Sequence, residues 1–266
     1  METENNHKHS NGKKSFLILT IICSIFLVYY SVMSMIAPLR KMAELKKEFN
    51  PEKSEAKKVD NKLLSDSAYL RLIKERAMLQ SRIIMAETYS IYLTINLVDS
   101  TMNLEISGVV VHMARMSSFK ASRILTNGNE NIISTMLSTP LTIKSAFATI
   151  KKEPVLIKMA PRDTSEYKPD IMPDTSITEP VDYILEMTNG TRIFVYQEEE
   201  LEPVDRLTLF KFDLNDRLRQ TLVALKSVAV FKVPAYHPFI KIRLPRSDAK
   251  IIYRAIPKNG QISIFI

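Results

Sequence analysis

Residues 16–37, FLILTIICSIFLVYYSVMSMIA, constrain this chain more than any other stretch. They hold no charge, no Gly and no Pro, and their polar members (Thr20, Cys23, Ser24, Tyr29, Tyr30, Ser31, Ser34) are small or amphipathic. As a helix the run is roughly 33 Å long, against a hydrocarbon layer of roughly 30 Å. The reading is one transmembrane helix. It divides the chain into a tail (1–15), the span (16–37), a helical stalk or coiled-coil-like linker (38–88) and a C-terminal domain (89–266). The run exceeds the apolar core of about 7–15 residues usual in a signal peptide. Cleavage after its small residues would leave Pro38 beside the cut, so a retained anchor is expected. Lys8, Lys13 and Lys14 precede the span and Arg40, Lys41, Lys46 and Lys47 follow it, so flanking charge does not set the orientation. A short tail before a large domain favours a cytoplasmic N-terminus in the inner membrane and a periplasmic domain.

Composition narrows the chemistry. A 45% hydrophobic and 25% charged chain of 266 residues is a folded protein of ordinary type. Its net charge of +8 comes from basic residues scattered among acidic ones, a mixed solvated surface, and no nucleic-acid partner is expected. Five glycines, with no Gly-x-Gly pair, argue against a phosphate-cradling loop. The one cysteine, Cys23, lies in the span, which leaves the rest without a thiol for catalysis or zinc. His112 and His237 are isolated, and the acidic run Glu198, Glu199, Glu200 and Glu202 reads as a solvated turn. No cofactor and no metal are expected.

Along the chain, Met42, Leu45 and Phe49 have helical spacing before Asn50-Pro51 interrupts. Pro38 suits a helix first turn or a kink. Val59, Leu63, Leu70, Ile73, Ala77 and Ile84 then fall on a 3–4 seam, with Asp66 and Gln80 at two of its positions. This long amphipathic helix is either a stalk pairing with a partner or itself, or a spacer packed on the domain. At Tyr89 the period changes to two. Ile91, Leu93, Ile95 and Leu97 alternate with polar residues, as do Met102, Leu104 and Ile106, and then Val109, Val111 and Met113, with turns at Asp99-Ser100-Thr101 and Ser107-Gly108. Residues 161–180 read as a proline-rich loop. A hairpin follows over 181–197, with Asn189-Gly190 as a type I′ turn. Asp213 or Asn215 caps a helix whose apolar face is Leu214, Leu218, Leu222 and Leu225. Val228, Val230 and Val233 read as a strand, residues 239–244 as another, Ser247 as the cap of a short helix, and Ile262, Ile264 and Ile266 as the closing strand. The fold class is α+β: a mostly antiparallel β domain with short helices, preceded by one transmembrane helix and a long amphipathic helix.

Two stretches, YLTINLVDSTMNLEISGVVV and IRLPRSDAKIIYRAIPKNGQISIFI, resemble the opening hairpin and the closing run of L,D-transpeptidase catalytic domains. That resemblance implies a peptidoglycan cross-linking fold whose nucleophile sits in a Ser-x-Gly-Cys segment just before Ile-Arg. Here His237-Pro238-Phe239-Ile240-Lys241 precedes Ile242-Arg243, and Lys241 stands in the cysteine's place. Thiolate chemistry has no counterpart in a protonated lysine. His237, Lys241 and Arg243 are therefore positions of a degenerate site, and the resemblance implies a relative without catalytic residues.

The function expected is a non-catalytic scaffold component of a bacterial envelope assembly (secretion, conjugation or motility). The partners expected are envelope-complex subunits, a second copy through the stalk, and peptidoglycan. The alternative is a peptidoglycan acyl transferase or hydrolase bringing Ser117, Ser118 or Ser247 to His112 or His237.

Overall fold

The computed structural model describes residues 5–49, 67–152, 179–199 and 203–266. Val59, Leu63, Asp66, the Asn50-Pro51 interruption, most of the proline-rich segment, Glu200 and Glu202 lie outside the described residues. The chain divides into two compact units, Met1–Glu44 with Asp216–Tyr236, and Leu45–Asn215 with His237–Ile266.

In the first unit, α1 (Asn5–Glu48) runs without interruption through Pro38, so the proline neither starts nor ends a helix. Its mean hydropathy reaches 2.4 and none of that apolar stretch is buried, which makes it long and apolar enough to cross a membrane. A second helix, α5 (Pro203–Ala229), contributes its later part to this unit. α5 begins ten residues before the expected cap at Asp213, with Pro203 at its first position, where a missing N–H costs nothing. It also runs through Val228, where alternation of valines predicts a strand. The helix ends instead in a Schellman motif: Lys232 N donates to Ser227 O (2.9 Å) and Phe231 N to Val228 O (2.9 Å). Phe231 takes the left-handed position, φ 55°, that glycine usually fills.

The second unit is α+β around a nine-stranded, mostly antiparallel sheet. In chain order its elements are α2 (Ser67–Ala86), β1 (Tyr92–Asn96), β2 (Thr101–Ile106), β3 (Val109–Arg115), β4 (Ser118–Ala121), α3 (Arg123–Asn127), α4 (Glu130–Leu137), β5 (Leu141–Ala148), β6 (Tyr183–Met187) and β7 (Arg192–Gln197). The first part of α5 follows, then β8 (Phe239–Leu244), α6 (Arg246–Ala255) and β9 (Gln261–Phe265). The strand order is β3-β2-β1-β9-β5-β6-β7-β8-β4, with β1–β9 and β7–β8 parallel. Strands β3 and β4 are the two ends of that order, yet only Met116 and Ser117 separate them. Nine strands laid flat would span roughly 38 Å, and so short a link bridges only about 10 Å. The sheet must curl until its edges meet. The enclosed core includes Leu93, Ile95, Met102, Leu104, Leu185, Val195, Ile242 and Ile264, each no more than 2% exposed.

Turn chemistry departs from expectation in one place. The type I′ pair is Ser107-Gly108, both residues at positive φ, whereas at Asn189-Gly190 only Gly190 is positive. Gly190 N donates to Met187 O, and the Asn189 side chain accepts from Thr191 N. That is a type I turn followed by a left-handed glycine, the other common hairpin solution.

Helix α2 lies against α4 and β9 of its own unit. Ala77, Ser81 and Met85 are buried, a step of four residues. Leu70 and Ile73 are half-buried, and Ile84 is exposed, with Met85 taking the buried place expected for it. A strict heptad seam drifts by about 20° per repeat on a straight helix, so the packed face moves off the 3–4 pattern. Arg82 and Lys74 tie the helix down, to Glu105 of β2 at 2.9 Å and Glu130 of α4 at 3.2 Å.

Candidate functional site

Strands β7, β8 and β4 lie side by side, and the alternation of β8 decides which residues face outward. Ile240, Ile242 and Leu244 enter the core, leaving Phe239, Lys241 and Arg243 on the outer face. Register then sets Lys120 of β4 opposite Lys241 and Ser118 opposite Arg243, while Phe194 and Tyr196 of β7 neighbour Lys241 and Arg243. The first half of α5 supplies Arg206, Leu209 and Asp213 to the same cleft, which has a volume of about 550 Å³.

Tyr196 lines this cleft, and the rings of Phe194 and Phe239 lie beside it on the same face. Phe194 and Tyr196 stack at 6.4 Å and 14°, and Phe239 meets Phe194 edge-on at 6.4 Å. The Lys241 ammonium lies 5.3 Å from the Phe194 ring centre and 5.9 Å from that of Phe239. Each such contact holds a cation by the quadrupole of the ring without neutralising it. On β7, Arg192 stacks over Phe194 at 4.8 Å and pairs with Glu186 at 3.2 Å.

The acids of the cleft are largely engaged. Both carboxylate oxygens of Glu199 accept the Arg246 N–H, at 2.8 and 2.9 Å, and so cap α6, whose own cap residue, Pro245, has no side-chain acceptor. The expected cap, Ser247, lies inside the helix. Asp213 accepts from the Tyr196 hydroxyl at 3.1 Å. Among the described residues no ion pair reaches Lys120, Lys241 or Arg243, and the lysines stand cross-strand. Like charges in that relation repel. The arrangement fits an anion seated between them.

Of the degenerate-site positions, Lys241 and Arg243 thus share the cleft and His237 does not. Its Nδ1 lies 3.0 Å from the Gly190 carbonyl, and a Cβ added at Gly190 would come within 3.3 Å of that ring. His237 braces the β6–β7 turn. His112 pairs with Asp248 of α6 at 3.2 Å. Among the described residues no hydrogen bond joins Ser117, Ser118 or Ser247 to a histidine, and no group of three metal-ligating side chains occurs. Lys120 escaped sequence reasoning because β4 is only four residues long and pairs with a strand more than a hundred residues away, and Phe194 and Tyr196 because alternation in β7 does not tell which strand lies beside them.

No protein family, no curated protein and no solved structure matches the chain. Nothing in these comparisons identifies an L,D-transpeptidase-like domain.

Proposed function

We propose that the protein is a membrane-anchored, non-catalytic scaffold component of a bacterial cell-envelope assembly serving secretion, conjugation or motility. In this reading α1 spans the inner membrane once, the N-terminus is cytoplasmic, and the sheet-bearing unit is periplasmic. Its cleft takes a carboxylate, from an envelope subunit or from the peptide of peptidoglycan. The observation that carries the reading is the set Lys120, Lys241 and Arg243, three cations on paired strands that line one cleft beside Tyr196. Among the described residues the cleft presents charge and no hydrogen-bonded serine–histidine pair. Pairing of α2 with an envelope subunit or a second copy would use its outer side, where Leu72, Leu79 and Ile83 are exposed.

Full-length protein in detergent tests this by co-sedimentation with purified sacculi and by cross-linking from the cleft in intact cells. Charge-assisted contacts are worth about 1.5–3 kcal/mol each. Lys241→Glu with Arg243→Glu should therefore remove sacculus binding or the cross-linked partner by tenfold or more. Retention of both in the double variant would overturn the reading. Muropeptide turnover by the purified protein would favour the enzyme alternative instead.

A further inference from the structure

The second half of α5 and the turn after it present apolar side chains that the first unit leaves uncovered. Leu218, Leu222 and Leu225 follow one face of the helix, exposed at 53%, 64% and 39%. Past the helix end, Val230 and Phe231 are exposed at 60% and 81%. Phe231 occupies the left-handed position of the Schellman motif, φ 55°, which glycine fills without strain. A bulky aromatic held there, and pointed outward, is a backbone outlier with something to gain from its surroundings. The residues of this stretch that its own unit covers are of both kinds: Asp216, Arg219, Gln220 and Ala224 are half-buried, and Val228 is fully buried. The leucine face is a second apolar surface, turned away from its own unit.

The first unit also sets the level of that side along α1. The Phe231 ring lies 5.9 Å from the ring of Tyr29, within the apolar run of α1. Tyr29 stands eight residues before Ala37, about 12 Å along the helix axis. Phe231 is thus level with a residue well inside the stretch that matches a bilayer. The cations beside it, Lys226 and Lys232, are long enough to reach back toward headgroups.

We propose that the segment from Leu218 to Lys232 is a second membrane contact: it enters the bilayer crossed by α1 and buries Leu222, Leu225, Val230 and Phe231 among the acyl chains. Tyr29 and Phe231 then form an aromatic pair inside the membrane, beside the span. The inference rests on α1 being a retained span. The two are separable because the protein carries its own depth marker, the exposed Cys23.

Full-length protein is labelled with the fluorophore NBD in detergent, at native Cys23 or at one cysteine introduced in a Cys23→Ser background. It is then reconstituted in phosphatidylethanolamine–phosphatidylglycerol vesicles containing lipid spin-labelled along the acyl chain. Phe231→Cys and Leu222→Cys are the test positions, and Asn259→Cys, on an exposed turn of the second unit, is the aqueous control. Spin-labelled lipid should quench both test positions at least threefold more than position 259, and aqueous iodide should quench them less. Iodide quenching at both test positions equal to that at 259 overturns the proposal. So does shielding from both quenchers, which would mean that protein covers this side. Lipid quenching at Cys23 with none at 222 and 231 leaves the anchor standing and removes this contact alone, whereas none at Cys23 removes both.

Discussion

Asp182 shows how far a single buried group departs from its ordinary chemistry. Its side chain is fully buried just before β6, where Oδ1 accepts the Gln197 N–H at 3.2 Å and Oδ2 has no partner. Burial pushes its pKa up to about 6, with the nearby Asp213 and Asp205 adding to the effect and the Gln197 N–H opposing it. The folded state therefore holds the proton more tightly than the unfolded chain. Its contribution is fully present below about pH 4 and is lost as pH rises through about 6. The difference is worth roughly 2–3 kcal/mol. Asp182→Asn should melt higher than wild type at pH 7 and show no loss of stability between pH 4 and 6, read by thermal melting of full-length protein in detergent. None of this is legible in sequence, where Asp182 sits after Pro180-Val181 as an ordinary turn acid. Phe231 is hidden for a related reason. A glycine there would have announced the helix end, whereas Val228, Val230 and Val233 around a phenylalanine imitate a strand.

Elements held by local periodicity were the readable ones. The three strands from β1 to β3, the β6–β7 hairpin, β8, α6 and β9 all follow from alternation or helical spacing within ten residues. What alternation does not carry is partnership. The hydrophobic positions of α2 are consistent with a free coiled coil, and the side on which the helix is pinned emerges from Arg82, whose guanidinium meets Glu105 at 2.9 and 3.1 Å. The Glu105 side chain is only 1% exposed, so water has little room to take that arginine's place. Removing one member of a buried pair costs about 3–5 kcal/mol, because the other is left desolvated and alone. Arg82→Met should lower the melting temperature sharply and raise hydrogen exchange in α2, and adding Glu105→Gln should restore most of both. If Arg82→Met alone leaves exchange in α2 unchanged, α2 is docked by its apolar contacts with α4 and β9 and not by this pair.

At the scale of the sheet-bearing unit, curling brings β4, next in sequence to β3, against β8 at the far end of the strand order. That closure creates the cleft, and it also sets Lys120 against Lys241. Such an opposition makes sense if the surface is kept for a ligand at a cost to the resting fold, a common relation between binding sites and stability. Lys120→Glu converts the cross-strand repulsion into an attraction, worth about 0.2–1 kcal/mol on its own and more once the repulsion is counted. The variant should therefore melt a few degrees above wild type at low ionic strength. Because Lys120 is exposed, the gain should shrink as salt screens it, over a Debye length of about 10 Å at 0.1 M. The same variant should bind sacculi or the cross-linked partner more weakly than wild type, since it places a carboxylate where the ligand's own must sit. Stability and binding moving in opposite directions is the signature of a site. A variant that gains stability with binding intact would mean the paired lysines are only a mismatched edge, and that the partner docks elsewhere on the unit.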